Sequence, residues 1–153
     1  MADVLTPEQR HLNMTRIRSK DTGIEKQVRS QLHADGFRFR LNVKDMPGKP
    51  DVVLPKYRTV VFINGCFWHG HQRCRYFVVP KTNTEFWVNK IDGNIKRDKE
   101  HYRQLEIMGW NVIIVWECAL KNNRFEETII HLETALKNNG LAPKSAKPVQ
   151  LVI

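Results

Sequence analysis

Thr59-Val60-Val61-Phe62-Ile63 runs directly into Asn64-Gly65-Cys66-Phe67-Trp68-His69-Gly70-His71-Gln72-Arg73-Cys74. The opening residues are β-branched or aromatic, so they read as a strand with little exposed surface. The loop that follows gathers two thiols, two imidazoles and two adjacent aromatics. A strand that delivers His, Cys and Trp to one loop points to metal chemistry beside a surface able to stack bases. The competing reading is a small structural zinc site and nothing more.

Working outward, the turn Pro47-Gly48-Lys49-Pro50 leads into a short strand, Asp51-Val52-Val53-Leu54, and the next strand spans Tyr57 to Asn64. Phe37-Arg38-Phe39-Arg40-Leu41 alternates with period two and predicts a further strand before them. Trp110 to Trp116 is a β-rich run that reads as buried. Thr6 and Pro7 mark a helix start, and that helix, to about Ser19, is rich in Arg, His, Asn and Lys. With so little apolar surface it is expected to rest on a partner. Asp21 or Thr22 caps a second helix whose stripe is Ile24, Val28 and Leu32, with Gly36 as its stop. Asn83-Thr84-Glu85 opens a long helix to about Met108, and Phe125 to Asn138 is amphipathic through Ile129, Leu132 and Leu136. Residues 141–153 carry two prolines and read as a loosely attached tail. The order predicts an α/β fold, a mixed central sheet flanked by helices. The 153 residues form a single domain on this reading, with 1–20 as a partner-contacting helix.

Lys plus Arg number 25 against 16 acids, a formal charge of +9. A balance of that size points to a polyanionic partner, here nucleic acid. No run reaches the roughly 18–20 apolar residues of a membrane span. No basic amphipathic helix with an aromatic face stands out either, so no membrane partner is expected. Met1 to Lys20 lacks a signal-peptide apolar core, which places the chain in the cytoplasm. Three cysteines, Cys66, Cys74 and Cys118, are too odd a set for a disulfide framework. In a reducing compartment they are free or metal-bound.

Several carboxylates call for a reason. Asp98 falls on the apolar stripe of the long helix, between Ile91, Ile95, Tyr102 and Leu105. A carboxylate there is costly unless a base, a cation or a metal-bound water pairs with it. Asp51 opens a strand, where it could hold a hard cation while the next strand supplies another oxygen; Mg²⁺ is the usual cation of phosphodiester hydrolysis. A turn aspartate is the plainer reading of Pro50-Asp51. Glu25 borders the stripe of its helix and, taken alone, reads as a solvated first-turn carboxylate. His69 could be a general base, since an imidazole titrates near neutral pH, or a zinc ligand.

Cys66, His71 and Cys74 have the tight local spacing of tetrahedral Zn²⁺ ligands, with Cys118 as a remote fourth. Spacing alone does not choose between His69 and His71. Phe67 and Trp68 sit between these ligands on a loop, and Trp87 begins the long helix; loop aromatics in a basic protein can stack on bases or wedge between them. Trp110 and Trp116, by contrast, read as core.

Phe62 to His69 with His71, Thr84-Glu85-Phe86-Trp87, and Val115-Trp116-Glu117-Cys118-Ala119-Leu120 together resemble the very short patch repair endonucleases. Asn13-Met14, Ile24-Glu25-Lys26 and Pro47-Gly48-Lys49-Pro50-Asp51 extend the resemblance over roughly residues 10 to 122. It implies a restriction-endonuclease-like fold and a Mg²⁺-dependent nick 5′ of the thymine in a T:G mismatch left by deaminated 5-methylcytosine. It implies Asp51 and the backbone carbonyl of Ile63 as Mg²⁺ ligands and His69 as the base, partnered by Asp98. Glu25 would bind metal-coordinated water. Cys66, His71, Cys74 and Cys118 match structural zinc ligands. Phe67, Trp68 and Trp87 match an aromatic wedge, Met14 a helix against the minor groove, and Lys90 and Asn94 positions that read base edges. A monomer is expected, bound to the nucleoid when on DNA, with other mismatch-repair factors as further candidate partners.

Two positions depart from the family pattern. Asn64 stands where that pattern often has His; it cannot exchange a proton near neutral pH and would only orient water or phosphate. The His71-Cys74 spacing is one residue longer than the tighter form of the loop. Rival readings are a restriction-type endonuclease cutting matched duplex and a non-catalytic zinc DNA-binding module.

Overall fold

The computed structural model describes residues 23–143 and 145–153. One sheet runs in the order β1 (Val52–Leu54), β2 (Thr59–Asn64), β3 (Asn111–Trp116), β4 (Gln150–Val152). β1 is antiparallel to β2, and β2, β3 and β4 are parallel. Helices α1 (Gly23–Ala34), α2 (Thr84–Ile107) and α3 (Phe125–Leu141) flank it. The parallel β2–β3 pair demands a long crossover. The Cys/His loop and α2 supply it, so the loop is rooted at the end of a central strand.

Period-two alternation sorts the two sides. Val52, Leu54, Val61, Ile63, Ile113 and Val115 pack with Val28 and Leu32 of α1 and with Ile129, Leu132 and Leu136 of α3. Val53, Val60, Phe62, Val112 and Ile114 pack with Tyr102 and Leu105 of α2. Both faces of β2 and β3 are therefore covered, which is why their sequences are apolar without alternation. Each aliphatic buried this way stabilises the sandwich by roughly 1.5–3 kcal/mol. The layered α/β expectation holds, with a mixed sheet between helices. No helix among the described residues is long and apolar enough to cross a membrane.

Two segments differ from their sequence reading. Phe37 to Leu41 is not a strand: it makes one antiparallel bridge, Arg40 to Val53. Its alternation is served by Phe37, which is buried and packs its ring 5.4 Å from Tyr57. Asn42 and Asp45, at φ 52° and 65°, then turn the chain away before a ladder can extend. The tail is not loose to its end. Gln150–Val152 pairs with Val112–Ile114, and the Val149 N–H donates to Asn111 Oδ1 at 2.9 Å. Leu151-Val152-Ile153 is a short apolar run, but three paired residues on an exposed sheet edge give too little length to be read as a strand. The expected helix from Thr6 to Ser19 lies outside the described residues.

α1 and α3 meet at a pair of carboxyls. Gln31 Nε2 donates to both Asp35 oxygens, at 3.1 and 3.0 Å. Glu133 buries Oε2 without a hydrogen-bond partner. Burial first, then the Asp35 carboxyl beside it, pushes Glu133 up to about 7 from 4.5. A raised carboxyl stabilises the fold in its protonated form, so this contribution is whole below 4.5 and is lost as the pH climbs through about 7. Glu133→Gln is expected to raise the melting temperature at about pH 8 by a few degrees and to flatten its decline across that window. Thermal unfolding at a series of pH values checks this; parallel curves for both proteins would count against it.

Candidate active site and metal centre

Three polar side chains of α2, spaced four apart, grip the segment from Asn64 to His69. Asn94 Nδ2 donates to the Trp68 carbonyl at 2.9 Å. Asp98 Oδ2 lies 2.6 Å from His69 Nδ1. Tyr102 Oη accepts from Asn64 Nδ2 at 2.8 Å. Residues four apart share one helix face, about 6 Å per step. The loop can lie this close because Gly70, at φ +62°, has no Cβ; one built there would stand 2.6 Å from Ile95 Cδ1 and 2.7 Å from Ile91 Cγ2. The carboxylate on the apolar stripe is thus explained. Asp98 is partly buried, at 20% side-chain exposure, and its partner is an imidazole at 28%. With Nδ1–H donating to Asp98, Nε2 is left as the ring's acceptor nitrogen.

Asp51 is anchored to the same strand. Its N–H donates to the Val61 carbonyl at 3.0 Å, and its Oδ2 accepts from the Ile63 N–H at 2.7 Å. In an extended strand the N–H and C=O of one residue face the same edge, so the Ile63 carbonyl is turned toward Asp51. A carboxylate and a carbonyl on one edge are the hard oxygen donors that Mg²⁺ accepts. Asp51 also lines an open groove of about 590 Å³ with Arg29, Lys44 and Lys49, cations suited to phosphate. Burial first, then the charges of Asp98 and Asp51, raises the Tyr102 phenol well above its usual range, although the Asn64 hydrogen bond opposes them. Both carboxylates therefore act on one hydroxyl.

Two site residues are deeply buried. Glu25 is not solvated: it is 3% exposed, in the first turn of α1. Asn64 is 2% exposed and donates its amide Nδ2 to Tyr102. Its place in β2 gives the reason. Asn64 follows Val60 and Phe62 on the face that α2 covers.

Cys66, His71, Cys74 and Cys118 bring their ligand atoms within 4.8 Å of one another. Tetrahedral Zn²⁺ with Zn–S of about 2.3 Å needs sulfurs about 3.8 Å apart, so a small closure would complete the site. His71, not His69, joins the thiols, which decides what spacing left open. Its ring stacks on Trp116 at 4.1 Å with an interplanar angle of 5°, and its Nδ1 lies 3.5 Å from Cys118 Sγ. The Cys118 N–H donates to Cys66 Sγ at 3.4 Å. Burial lowers the affinity of His71 for a proton, which favours the neutral ligand form. Burial also pushes the Cys66 thiol up to about 12. Cys74 is pulled down: burial resists, but the Tyr76 N–H and the thiols of Cys66 and Cys118 outweigh it. The longer His71-Cys74 spacing does not prevent the cluster.

The loop aromatics pack on one another. Phe67 lies 5.2 Å from Trp68 and 5.6 Å from Trp87, and Trp68 lies 6.1 Å from Trp87, all edge to face. Trp68 Nε1 is buried without a hydrogen-bond partner. Phe86 sits on the rim, 5.2 Å from Trp87 and 56% exposed. Lys90 is exposed on α2, whereas Asn94, expected at base edges, gives its amide to the Trp68 carbonyl. Met14 lies outside the described residues. Sequence reasoning took Tyr102 as core; its position four residues after Asp98 was the available signal.

A family model described as DNA mismatch endonuclease Vsr matches residues 2–75. The chain is 48% identical to the DNA mismatch endonuclease Vsr of Escherichia coli over 121 residues, 79% of this chain and 77% of that protein. It is 51% identical to the type II nicking enzyme V.NmeAIP of Neisseria meningitidis over 122 residues, 80% of this chain and 86% of the relative. For the type II nicking enzyme V.XorIIP of Xanthomonas oryzae the identity is 48% over 122 residues, 80% of this chain and 89% of the relative. A non-catalytic zinc module is thereby set aside, and the protein is a nuclease with DNA as its substrate. This chain belongs to the Vsr family of DNA mismatch endonucleases.

Proposed function

We propose that this protein nicks one strand of duplex DNA 5′ of the thymine in a T:G mismatch, with Mg²⁺ as catalytic cofactor, on a restriction-endonuclease-like fold. The observation that carries this reading is the His69–Asp98 pair at 2.6 Å, with His69 on the same loop as Phe67 and Trp68. That loop couples a base for water activation to a surface able to enter the stack. Arg29, Lys44 and Lys49 hold the phosphate backbone at the groove beside Asp51. Phe67, Trp68 and Trp87 open the step, which is cheaper at a mismatch than at a matched pair. The mispaired strand is then seated with its phosphate against Asp51 and the Ile63 carbonyl. Mg²⁺ held there would neutralise charge developing on the phosphate. His69 Nε2 takes the proton from the attacking water, and Asp98 holds the imidazolium. Glu25 is the proposed holder of metal-bound water. Cys66, His71, Cys74 and Cys118 hold a structural Zn²⁺. The protein acts as a monomer in the cytoplasm, bound to the nucleoid while on DNA.

Nicking of end-labelled duplexes tests this. A T:G duplex is expected to lose one strand 5′ of the thymine only when Mg²⁺ is present, and its matched counterpart to stay intact. Equal double-strand cutting of matched DNA would replace the mismatch reading with a restriction-type one.

A further inference from the structure

Asp51 and the His69–Asp98 pair belong to different parts of the fold. The Asp51 carboxylate is referenced to β2, through the Ile63 N–H at 2.7 Å. His69 is referenced to α2, through Asp98. Hydrolysis needs a fixed distance between them. Asn64 is the next residue after Ile63, and its amide reaches across to Tyr102 on α2 at 2.8 Å. Both partners are buried, at 2% and 7% exposure, so the bond does not compete with water. The Tyr102 ring is held separately, 5.0 Å from Phe62 in an edge contact.

We propose that Tyr102 is a positioning residue for the nick: with Asn64 it braces the end of β2 against α2 and so sets Asp51 relative to the His69–Asp98 pair. The proposal rests on the mismatch-endonuclease reading above. The phenol stays neutral, since burial and then the two carboxylate charges hold its proton against the opposing Asn64 bond. It therefore serves as a fixed acceptor and dipole and not as a proton donor to the leaving oxygen. The brace also explains why an amide suffices at position 64. A side chain that spans to Tyr102 has to hold geometry, not exchange a proton.

Tyr102→Phe keeps the ring packing and removes only the hydroxyl. Wild type, Tyr102→Phe, Asn64→Ala and the double variant are compared in steady-state and pre-steady-state burst nicking of a mismatched duplex. The expected result is a kcat lowered about 10- to 100-fold in each single variant, the scale of a small misalignment. KM for the duplex is expected to stay within about twofold. The double variant is expected to be no slower than the slower single variant, because one bond is broken in all three. A merely structural role would lower burst amplitude and melting temperature and leave the rate constant of the active fraction unchanged; that result, or simple multiplication of the two effects, overturns the proposal. If wild type nicks and Tyr102→Phe nicks equally fast, the brace fails alone. If wild type does not nick mismatched DNA at all, the mismatch reading fails and the brace with it.

Discussion

Replacing Asp51 by alanine is expected to slow the nick by roughly a thousandfold or more while mismatched duplex still binds. The carboxylate belongs to the residue just before β1, with one oxygen committed to the Ile63 N–H at 2.7 Å. That bond aims the remaining oxygen, and the turned Ile63 carbonyl provides a second donor on the same edge. A cation held there contributes several kcal/mol to a phosphate transition state, and each 1.36 kcal/mol is a factor of ten in rate. Alanine removes the only side-chain donor of the pair. Binding has other sources, the lysines and Arg29 of the groove and the aromatic cluster, and phosphate contacts dominate affinity. Removing a negative charge beside the phosphate could even tighten the complex. His69→Ala leaves these donors in place and removes the proposed base, an expected loss of about 10²- to 10⁴-fold. Single-turnover nicking gives the rate and fluorescence anisotropy the affinity. A variant at position 51 that keeps a tenth of the wild-type rate would remove Asp51 from the centre.

The fold was legible where burial and period coincide. α1 and α3 show their stripes, and β2 and β3 show apolar runs because both faces are covered. β4 left only a short mark, Leu151-Val152-Ile153, since an edge strand of three residues is held mainly by the backbone it pairs with. Phe37 to Leu41 has the right alternation, but positive-φ residues after it divert the chain, and such turns are weakly written in Asn and Asp. Within the site, Asp98 was legible as a misfit, because a carboxylate on an apolar stripe demands a partner. Tyr102 was illegible for the opposite reason: a tyrosine on that stripe fits without explanation. The burial of Glu25 and Asn64 was illegible, because depth is not revealed by one helix or one strand until the other layers are packed over it. The choice between His69 and His71 needed Trp116, whose flat contact with His71 comes from β3, far along the chain.

Losing one thiol of the Cys/His corner is expected to be the most damaging change to stability. Cys66 is fully buried at the root of the loop, and the Cys118 N–H reaches it across 52 residues of sequence. From Gly65 to Asn83 the chain contains no helix or strand, so little besides the corner and the α2 contacts orders it. Structural Zn²⁺ contributes apparent binding energies of about 10–16 kcal/mol in small zinc domains. Even a third of that, at about 2–4 °C per kcal/mol for a domain of this size, lowers the melting temperature by about 7 °C or more. Cys66→Ser is therefore expected to purify without its equivalent of zinc and to melt at least that much lower. The same thiol predicts the pH response. Burial holds its proton up to about 12, so a cation has to displace it, and protons compete harder as the pH falls. Chelator-driven unfolding of the wild type is expected to accelerate on acidification, with zinc release and loss of melting temperature moving together. Metal analysis joined to thermal unfolding decides the matter: a wild type that carries no zinc, or one whose melting is indifferent to chelator at every pH, would leave the four residues as free thiols and a stacked imidazole. Phe67, Trp68 and His69 lie between Cys66 and His71, so the metal-free protein is also expected to lose its rate and its preference for mismatched DNA in one step. Separate losses would mean that the loop keeps its shape without the corner.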